Sequence, residues 1–305
     1  MGAPGSNVGG MAIVELGNQH LTLTINSKGA EMASLGLNAP SRGDQELLWQ
    51  GGEAWHRRAP VLFPIIGRMP GDELTHREVA YPITQHGFAR DREFLFDRIS
   101  DTEVEFTLDD SPTTRIHFPF SFRLAVRFEL VDATVRVTQT VSNPGSEPFA
   151  ASLGAHPGFV WPLPGAAGKG QHVIEFELPE AAPIRRLEQG LLAVDSFPNP
   201  VIDRTLKLDE SLFEADAVIF DQLSSRSVRY SAPGAPSITV EFPDFPILGL
   251  WSKAPGEFVC IEPWFGMTAA SDFSGEYDKK PHQFVLGPSE SREFTYGVMI
   301  EHPAS

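Results

Sequence analysis

The clearest pattern along the chain is an alternation of apolar and polar residues with a period of two. From Phe122 to Leu130, every second residue is apolar, and the residues between them are charged or small. Successive side chains of a strand point to opposite faces, so this stretch predicts a half-buried β-strand. After a break at 131–133, valines continue the alternation from Val135 to Val141, as far as the turn sequence Asn143-Pro144-Gly145. The two stretches together predict a β-hairpin.

The same period recurs in further segments, which are separated by clusters of Gly, Pro, Asn and Asp. Only Asp209 to Ala217 has a pattern that favours a short helix, because 26 Pro and 27 Gly interrupt most of the remaining chain. Strands without intervening helices are typical of packed antiparallel sheets, so we predict an all-β fold, a large antiparallel β-sandwich. The further strands are predicted at Glu103 to Leu108, Val173 to Leu178, Ser237 to Phe242 and Phe294 to Ile300.

The chain shows no fixed-period repeat and no linker with a shift in composition. An all-β sandwich of this size can form one domain, so we predict a single domain over 11–305. The opening sequence MGAPGSNVGG is small and rich in turn formers, and Met11 offers a second start. We interpret residues 1–10 as a disordered tail or an expression remnant.

Charge and cysteine content narrow the class of protein. There are 24 basic and 40 acidic residues, a formal charge of −16, which disfavours binding to nucleic acid or to an anionic membrane. The single cysteine, Cys260, cannot form an intrachain disulfide, which suits a reducing compartment. No apolar run is long enough to span a bilayer and no signal peptide is evident, so we expect a cytoplasmic protein, either a monomer or a homodimer.

Well-known nucleotide and metal signatures do not occur: there is no phosphate-binding loop, HExxH, GxSxG, CxxC or EF-hand sequence. We therefore expect neither a cofactor nor a metal site. Three segments instead place an ionisable residue among Gly, Pro and aromatic residues. They are QHGFAR (85–90), GAHPGF (154–159) and CIEPW (260–264).

His156 and Glu262 are the strongest candidates for catalysis in these segments. Each precedes a proline, which favours extended backbone and a fixed side-chain direction. Glu262 lies between an apolar strand-like stretch and two aromatic residues, where a carboxylate is costly unless it is paired or used. For His156, the alternative is a hydrogen-bonded residue that fills the end of a sheet.

The three segments, in this order, resemble the aldose 1-epimerase (galactose mutarotase-like) superfamily, and LacX-like members in particular. The resemblance covers nearly the whole chain and implies a large antiparallel sandwich with the sugar in an open groove. Supporting segments are NSKGAEMASL, ELLWQGGEAWHRRAPVLFPIIGR, HGFARDREF, FPFSFRL, SLGAHPGF, FPDFPILGLWS and FVCIEPWFG.

The resemblance also implies roles for individual residues. Glu262 matches the catalytic base of the family, His156 its catalytic acid, and His86 a second histidine that contacts the sugar near its ring oxygen. An aspartate that binds sugar hydroxyls is expected as well. We place it at Asp216, with Asp244 as the alternative.

Further candidates for substrate binding lie in or near the same segments. Arg68 and Arg90 end two motif loops, although surface ion pairs are the more usual fate of arginine. Sugars present C–H faces that pack on aromatic rings, so at least one tryptophan is expected to line the groove. Cys260 is expected to be a buried small hydrophobe without a redox role. The aromatic candidates are Phe88, Trp55, Trp251 and Trp264.

The resemblance and these candidate residues imply that the activity is mutarotation of a free aldohexose. A base removes the proton of the anomeric hydroxyl and an acid protonates the ring oxygen, so the ring opens and recloses without a cofactor. Three alternatives stay open. They are a hexose-6-phosphate mutarotase in which Arg68 and Arg90 hold the phosphate, a non-catalytic carbohydrate-binding or sugar-sensing module, and a glycoside hydrolase or polysaccharide lyase, although hydrolysis ordinarily needs two flanking carboxylates.

Overall fold

The structure is a computed structural model that describes residues 12–38 and 43–303, so the tail predicted over 1–10 lies outside the described residues. The described chain forms strands almost throughout. The strands are β1 Ile13–Gly17, β2 Leu21–Asn26, β3 Glu31–Leu37, β4 Gln45–Glu46, β5 Val61–Leu62, β6 Glu73–His76, β7 Val79–Pro82, β8 Leu95–Arg98, β9 Glu103–Asp109, β10 Arg123–Val131, β11 Thr134–Ser142, β12 Phe149–Ala151, β13 Leu153–Ala155, β14 Gly158–Val160, β15 Val173–Phe176, β16 Leu187–Glu188, β17 Leu191–Leu192, β18 Thr205–Lys207, β19 Val218–Phe220, β20 Ser227–Ser231, β21 Ser237–Glu241, β22 Ile247–Trp251, β23 Phe258–Phe265, β24 Phe284–Leu286 and β25 Ser291–Glu301.

Helical structure is limited to single turns in the described residues. One α-helix, α1, spans Pro112–Arg115 and is capped by the preceding Ser111, whose side chain accepts a hydrogen bond from the Thr114 N–H. A single turn has no hydrophobic periodicity, which is why the sequence pattern did not predict it. The 3₁₀ turns are Pro70–Asp72, Ala89–Asp91, Lys169–Gln171, Glu210–Phe213 and Tyr277–Lys279.

Two large sheets form the sandwich. One has nine strands in the order β18-β15-β20-β21-β25-β11-β10-β9-β8, and the other has six, β19-β22-β23-β13-β5 with β14 also paired to β23. A four-stranded sheet, β1-β2-β3-β4, and three two-stranded sheets complete the fold. All paired strands named above run antiparallel. The predicted all-β fold, a large antiparallel β-sandwich, is confirmed.

The predicted hairpin is β10 and β11, joined by a two-residue turn at Asp132 and Ala133. Arg123 pairs with Ser142 at one end and Val131 with Thr134 at the other. The apolar positions of β10 are buried, and each contributes roughly 1.5–3 kcal/mol by leaving water. The other four predicted strands appear as β9, β15, β21 and β25, with ends shifted by up to three residues.

The helix predicted over Asp209 to Ala217 is shorter than expected. Only Glu210–Phe213 forms a 3₁₀ turn, with the Asp209 side chain accepting from the Ser211 N–H at its start. Phe213 is the one buried residue of that turn, which leaves no apolar face to hold a longer helix against the sheet. The chain then passes through a left-handed residue, Asp216, at φ 64°.

Strand β23 has one face in the main core and the other toward a separate cluster of side chains. Val259 and Ile261 pack in the large apolar cluster that joins the nine-, six- and four-stranded sheets. Because successive residues alternate, Cys260, Glu262 and Trp264 point to the opposite face. All three are buried as well, so β23 is covered on both sides. No helix in the described part of the chain is long and apolar enough to cross a membrane.

Candidate active site

A cavity of about 520 Å³ lies against the face of the six-stranded sheet that carries Glu262. It brings together most of the residues that the sequence analysis singled out. The predicted site residues that line it are His86, Arg90, His156, Asp216, Trp251, Glu262 and Trp264, together with Trp55.

Glu262 lies in the middle of β23 with 1% of its surface exposed. Burial raises the pKa of the Glu262 carboxyl well above its ordinary value, contact with the Trp264 indole opposes the rise, and the charge of Asp216 adds to it. An apolar wall around a carboxyl group favours its neutral form. The fold therefore favours the protonated form of Glu262 more than water does, which is a common arrangement for an acid–base group.

The register of the sheet places His156 opposite Glu262. Gly154 pairs with Trp264 and Gly158 pairs with Cys260. Residues 155–157 therefore lie beside residues 261–263 of β23. Pro157 carries no N–H, but its carbonyl accepts a hydrogen bond from the Ile261 N–H at 3.2 Å. His156 Nε2 lies 3.2 Å from Glu262 Oε2. The two strongest candidates from the sequence are thus in direct contact.

Aromatic rings and a positive charge surround the His156 imidazole. It stacks on Trp55 with ring centroids 4.9 Å apart and meets Trp251 edge-on at 5.8 Å. Burial, and then the charge of Arg90, lower the pKa of His156 to about 3. The imidazole is therefore neutral at physiological pH.

Three glycines in neighbouring strands make room for these rings. A Cβ on Gly154 would lie 2.9 Å from Trp264, and one on Gly249 would lie 2.6 Å from the same ring. A Cβ on Gly158 would lie 2.7 Å from Trp55. The glycines of the GAHPGF segment therefore allow the walls of the cavity to approach the sheet backbone.

His86 is positioned by the backbone of the loop that follows β5. Its N–H donates to the Gly67 carbonyl at 2.7 Å, and the Gly67 N–H donates to His86 Nδ1 at 3.1 Å. Because Nδ1 accepts, the proton of the neutral ring lies on Nε2, which makes that atom a donor. Burial and the Arg90 charge lower the pKa of His86 well below its ordinary value. His86 also adopts a left-handed backbone at φ 64°, a conformation that costs a non-glycine residue about 1 kcal/mol or more.

The two predicted arginines lie in different surroundings. Arg90 lines the cavity and its guanidinium donates to the Gln85 carbonyl, while burial lowers the pKa of Arg90 to about 10. Arg68 is not among the lining residues. Its guanidinium binds Asp72 through two hydrogen bonds of 2.9 and 2.5 Å.

Two other predicted residues also lie away from the cavity lining. Phe88 is buried in the core, with its ring 5.8 Å from that of Phe122. Asp244 lies on an exposed turn and accepts a hydrogen bond from the Thr295 N–H at 2.9 Å. Asp216 lies at the cavity, where its Oδ1 accepts from the Ala217 N–H at 2.8 Å. Of the two candidate aspartates, the structure brings only Asp216 to the site.

Several lining residues were missed by the sequence analysis. Gln85 opens the QHGFAR segment, so that motif contained a signal for it. The other residues lie on loops far apart along the chain, and no local pattern identifies them. They include Glu210, Phe213, Glu214, Lys253 and Thr268.

One group of possible metal ligands occurs in the described residues, at the floor of the cavity. Ligand atoms of His156, Cys260 and Glu262 all lie within 4.8 Å of one another. Sequence spacing did not reveal this group, because His156 comes from a different strand. Cys260 is fully buried, as expected, and burial raises the pKa of its thiol well above the ordinary value.

Comparison with known proteins identifies the family. Residues 12–277 match the family model for aldose 1-epimerase. The plasmid-encoded protein LacX of Lactococcus lactis subsp. lactis is 31% identical over 301 residues, which covers 94% of this chain and 99% of that protein. The chain therefore belongs to the aldose 1-epimerase family.

Solved structures agree with this assignment. A galactose mutarotase related enzyme from Lactobacillus acidophilus superimposes with a TM-score of 0.88 at 28% identity, covering 96% of this chain and 99% of that one. A galactose mutarotase-like protein from Lactobacillus casei ATCC 334 gives 0.87 at 28% identity, covering 95% and 100% of the two chains. The fold is that of the galactose mutarotase-like proteins, and family membership supports a mutarotase-like function and an isomerase type of enzyme.

Proposed function

We propose that the protein is an aldose 1-epimerase that interconverts the α and β anomers of a free aldohexose without a cofactor. The observation that carries the proposal is the 3.2 Å contact between His156 Nε2 and Glu262 Oε2 at the floor of the cavity. A buried acid and a buried base in contact, in a cavity of about 520 Å³, suit a small polar substrate.

The pair supplies the two proton transfers that ring opening requires. Glu262 removes the proton of the anomeric hydroxyl, and His156 delivers a proton to the ring oxygen as the C1–O5 bond breaks. Rotation about C1–C2 followed by ring closure then forms the other anomer. The aldehyde intermediate is stable, so no electron carrier or metal is needed.

Burial favours the neutral forms of Glu262 and His156, and this is compatible with these roles. The neutral pair, a protonated Glu262 with a neutral His156, contains the same number of protons as the ion pair. Moving one proton across the contact therefore produces a carboxylate base and an imidazolium acid without exchange with solvent. Sugar hydroxyl groups that donate to the carboxylate would favour this transfer.

Other lining residues support sugar binding. His86 offers its Nε2–H to the ring oxygen region, and its ring lies 5.6 Å from that of His156. Asp216 carries a carboxylate at the edge of the cavity, suited to hydroxyl groups. Trp251 and Trp264 provide flat apolar surfaces for the C–H face of a sugar.

Charge at the cavity favours an unphosphorylated substrate. Three carboxylates besides Glu262 line the cavity, those of Glu210, Glu214 and Asp216, against two cationic side chains, Arg90 and Lys253. Lys169 pairs with Glu210 at 2.6 Å. Arg68, one of the two arginines considered for a phosphate, is bound to Asp72 instead of lining the cavity. A sugar phosphate would thus meet more carboxylates than cations in the cavity.

A panel of sugars tests the proposal. Anomer exchange is followed by NMR or polarimetry on freshly dissolved glucose and galactose and on their 6-phosphates, with wild type and an Arg68→Ala, Arg90→Ala double variant. We expect exchange of a free hexose with a higher kcat/KM than its phosphate. A strong preference for the phosphate that disappears in the double variant would establish the phosphate-specific alternative. Sugar binding without any exchange would establish a binding or sensing module.

A further inference from the structure

The His156, Cys260 and Glu262 group has a geometry that suits a thiophilic divalent cation. Zinc binds imidazole nitrogen and carboxylate oxygen at about 2.0–2.2 Å in tetrahedral geometry, which puts the two ligand atoms roughly 3.3 Å apart. His156 Nε2 and Glu262 Oε2 are 3.2 Å apart in this structure. The Cys260 sulfur lies within 4.8 Å of both ligand atoms, so a shared zinc ion, which puts them roughly 3.6 Å apart, requires the sulfur to approach by about 1 Å at most.

The two cavity-lining members of the group also have unused binding capacity. Glu262 Oε2 and His156 Nδ1 are buried atoms without a hydrogen-bond partner, in residues that are 1% and 7% exposed. His156 Nδ1 is the ring nitrogen that does not face Glu262, so Glu262 Oε2 is the buried ligand atom that is free to bind an ion.

We propose that Zn²⁺ binds His156, Cys260 and Glu262 from the cavity and thereby inhibits the enzyme. Three protein ligands leave the fourth tetrahedral position open toward the cavity, which is also the route of entry. Binding displaces the thiol proton and the carboxyl proton, so the ion is held by a thiolate, a carboxylate and a neutral imidazole. Thiolate and imidazole select zinc-like ions over Mg²⁺ and Ca²⁺, which prefer six or more oxygen ligands.

Inhibition follows because the ion occupies the lone pairs that the proton transfers need. This consequence rests on the proposed mutarotase function, whereas metal binding itself does not. The proposal also agrees with metal-independent catalysis: we expect wild type in excess chelator to keep its full rate, and added Zn²⁺ to lower it. A chelator should then restore the rate, which separates binding from aggregation.

Cys260→Ser is the variant that tests the site, because Cys260 takes no part in the proton transfers. We expect it to retain the basal exchange rate while the Zn²⁺ concentration for half inhibition rises at least ~10-fold, as for loss of a metal ligand. His56→Ala, which removes an exposed imidazole next to Trp55, is the matched control and should be inhibited like wild type. Equal inhibition of wild type and Cys260→Ser would overturn the proposal.

Direct binding is measured with Co²⁺ on the wild-type protein, without reference to activity. A thiolate ligand gives a near-ultraviolet charge-transfer band, and Zn²⁺ added afterwards should abolish it. This measurement decides the question even where Cys260→Ser fails to fold or where no sugar is turned over. Absence of the band, with Co²⁺ in excess and a non-thiol reductant present, would show that Cys260 is not a ligand.

Discussion

His156 and His86 lie in the same cavity but are held differently, which predicts different kinetic effects. His156 contacts the carboxylate partner directly, whereas His86 is tied to the Gly67 backbone and presents a donor. We expect His156→Ala to lower kcat about 10²-fold or more with a small change in KM, and His86→Ala to affect both constants. Steady-state exchange kinetics measure the split. Unchanged turnover in His156→Ala would move the search for the acid to His86.

The burial of His156 predicts an unusual pH dependence. A solvated histidine is half protonated near pH 6.5. The pKa of His156 is about 3, and only below such a pH does the pair of His156 and Glu262 bind a second proton, which leaves it without a base. The acidic limb of a kcat/KM profile reports the pKa values of groups in the free enzyme. We therefore expect kcat/KM to stay flat from pH 7 down to about 5. A profile that loses half of its value near pH 6.5 would contradict this account of the environment.

At the scale of single elements, the sheet around β23 is adapted to bulky rings. Gly249 pairs with Glu262 and lies against the Trp264 ring. A Cβ at Gly249 would approach the indole to 2.6 Å, so Gly249→Ala should push Trp264 out of place.

We expect Gly249→Ala to lower the free energy of unfolding by about 1–3 kcal/mol, as for overpacking, and to reduce the exchange rate. Gly170→Ala is the control, because a Cβ there has no neighbour within 4 Å. Denaturant unfolding and sugar exchange measure both variants. Equal stability of the two variants would show that the Trp264 ring moves aside without lowering the free energy of unfolding.

The turn before β15 contains a histidine whose structural role depends on its neutral form. The Leu163 N–H donates to His172 Nε2 at 3.0 Å, while Nδ1 lies 3.0 Å from the Lys169 carbonyl. Only a neutral ring with its proton on Nδ1 satisfies both contacts. Burial lowers the pKa of His172 below its ordinary value.

This arrangement predicts a loss of stability in acid. Below about pH 6.5 the unfolded chain binds a proton at His172 that the folded chain does not, so the free energy of unfolding falls as pH falls. The contribution of one such residue is at most about 1.4 kcal/mol per pH unit. Urea unfolding between pH 7.5 and 5.5 should show a shallower pH dependence in His172→Gln than in wild type. Identical slopes would mean that His172 keeps its ordinary pKa in the fold.

For the whole molecule, local sequence patterns predicted the strands and the centre of the site but not its edges. Alternation identified β10 and β11, and the X-Pro segments identified His156 and Glu262, because these signals are local. The approach of Glu210 and Lys253 to the cavity depends on strand register between distant segments, which one-dimensional patterns do not contain. Arg68 illustrates the same limit: its motif predicted a sugar contact, whereas in the structure its guanidinium binds Asp72, four residues away, and does not line the cavity.

The central claim is that Glu262 is the base of a mutarotase. Glu262→Gln keeps the size of the side chain and removes its basic oxygen. Glu210→Gln, at the cavity rim, is a matched control that removes a carboxylate which pairs with Lys169. The direct measurement is NMR exchange between the α and β signals of glucose and galactose, catalysed by each folded variant. We predict a loss of at least ~10²-fold for Glu262→Gln and a rate near that of wild type for Glu210→Gln. Exchange at the wild-type rate in Glu262→Gln would contradict the account.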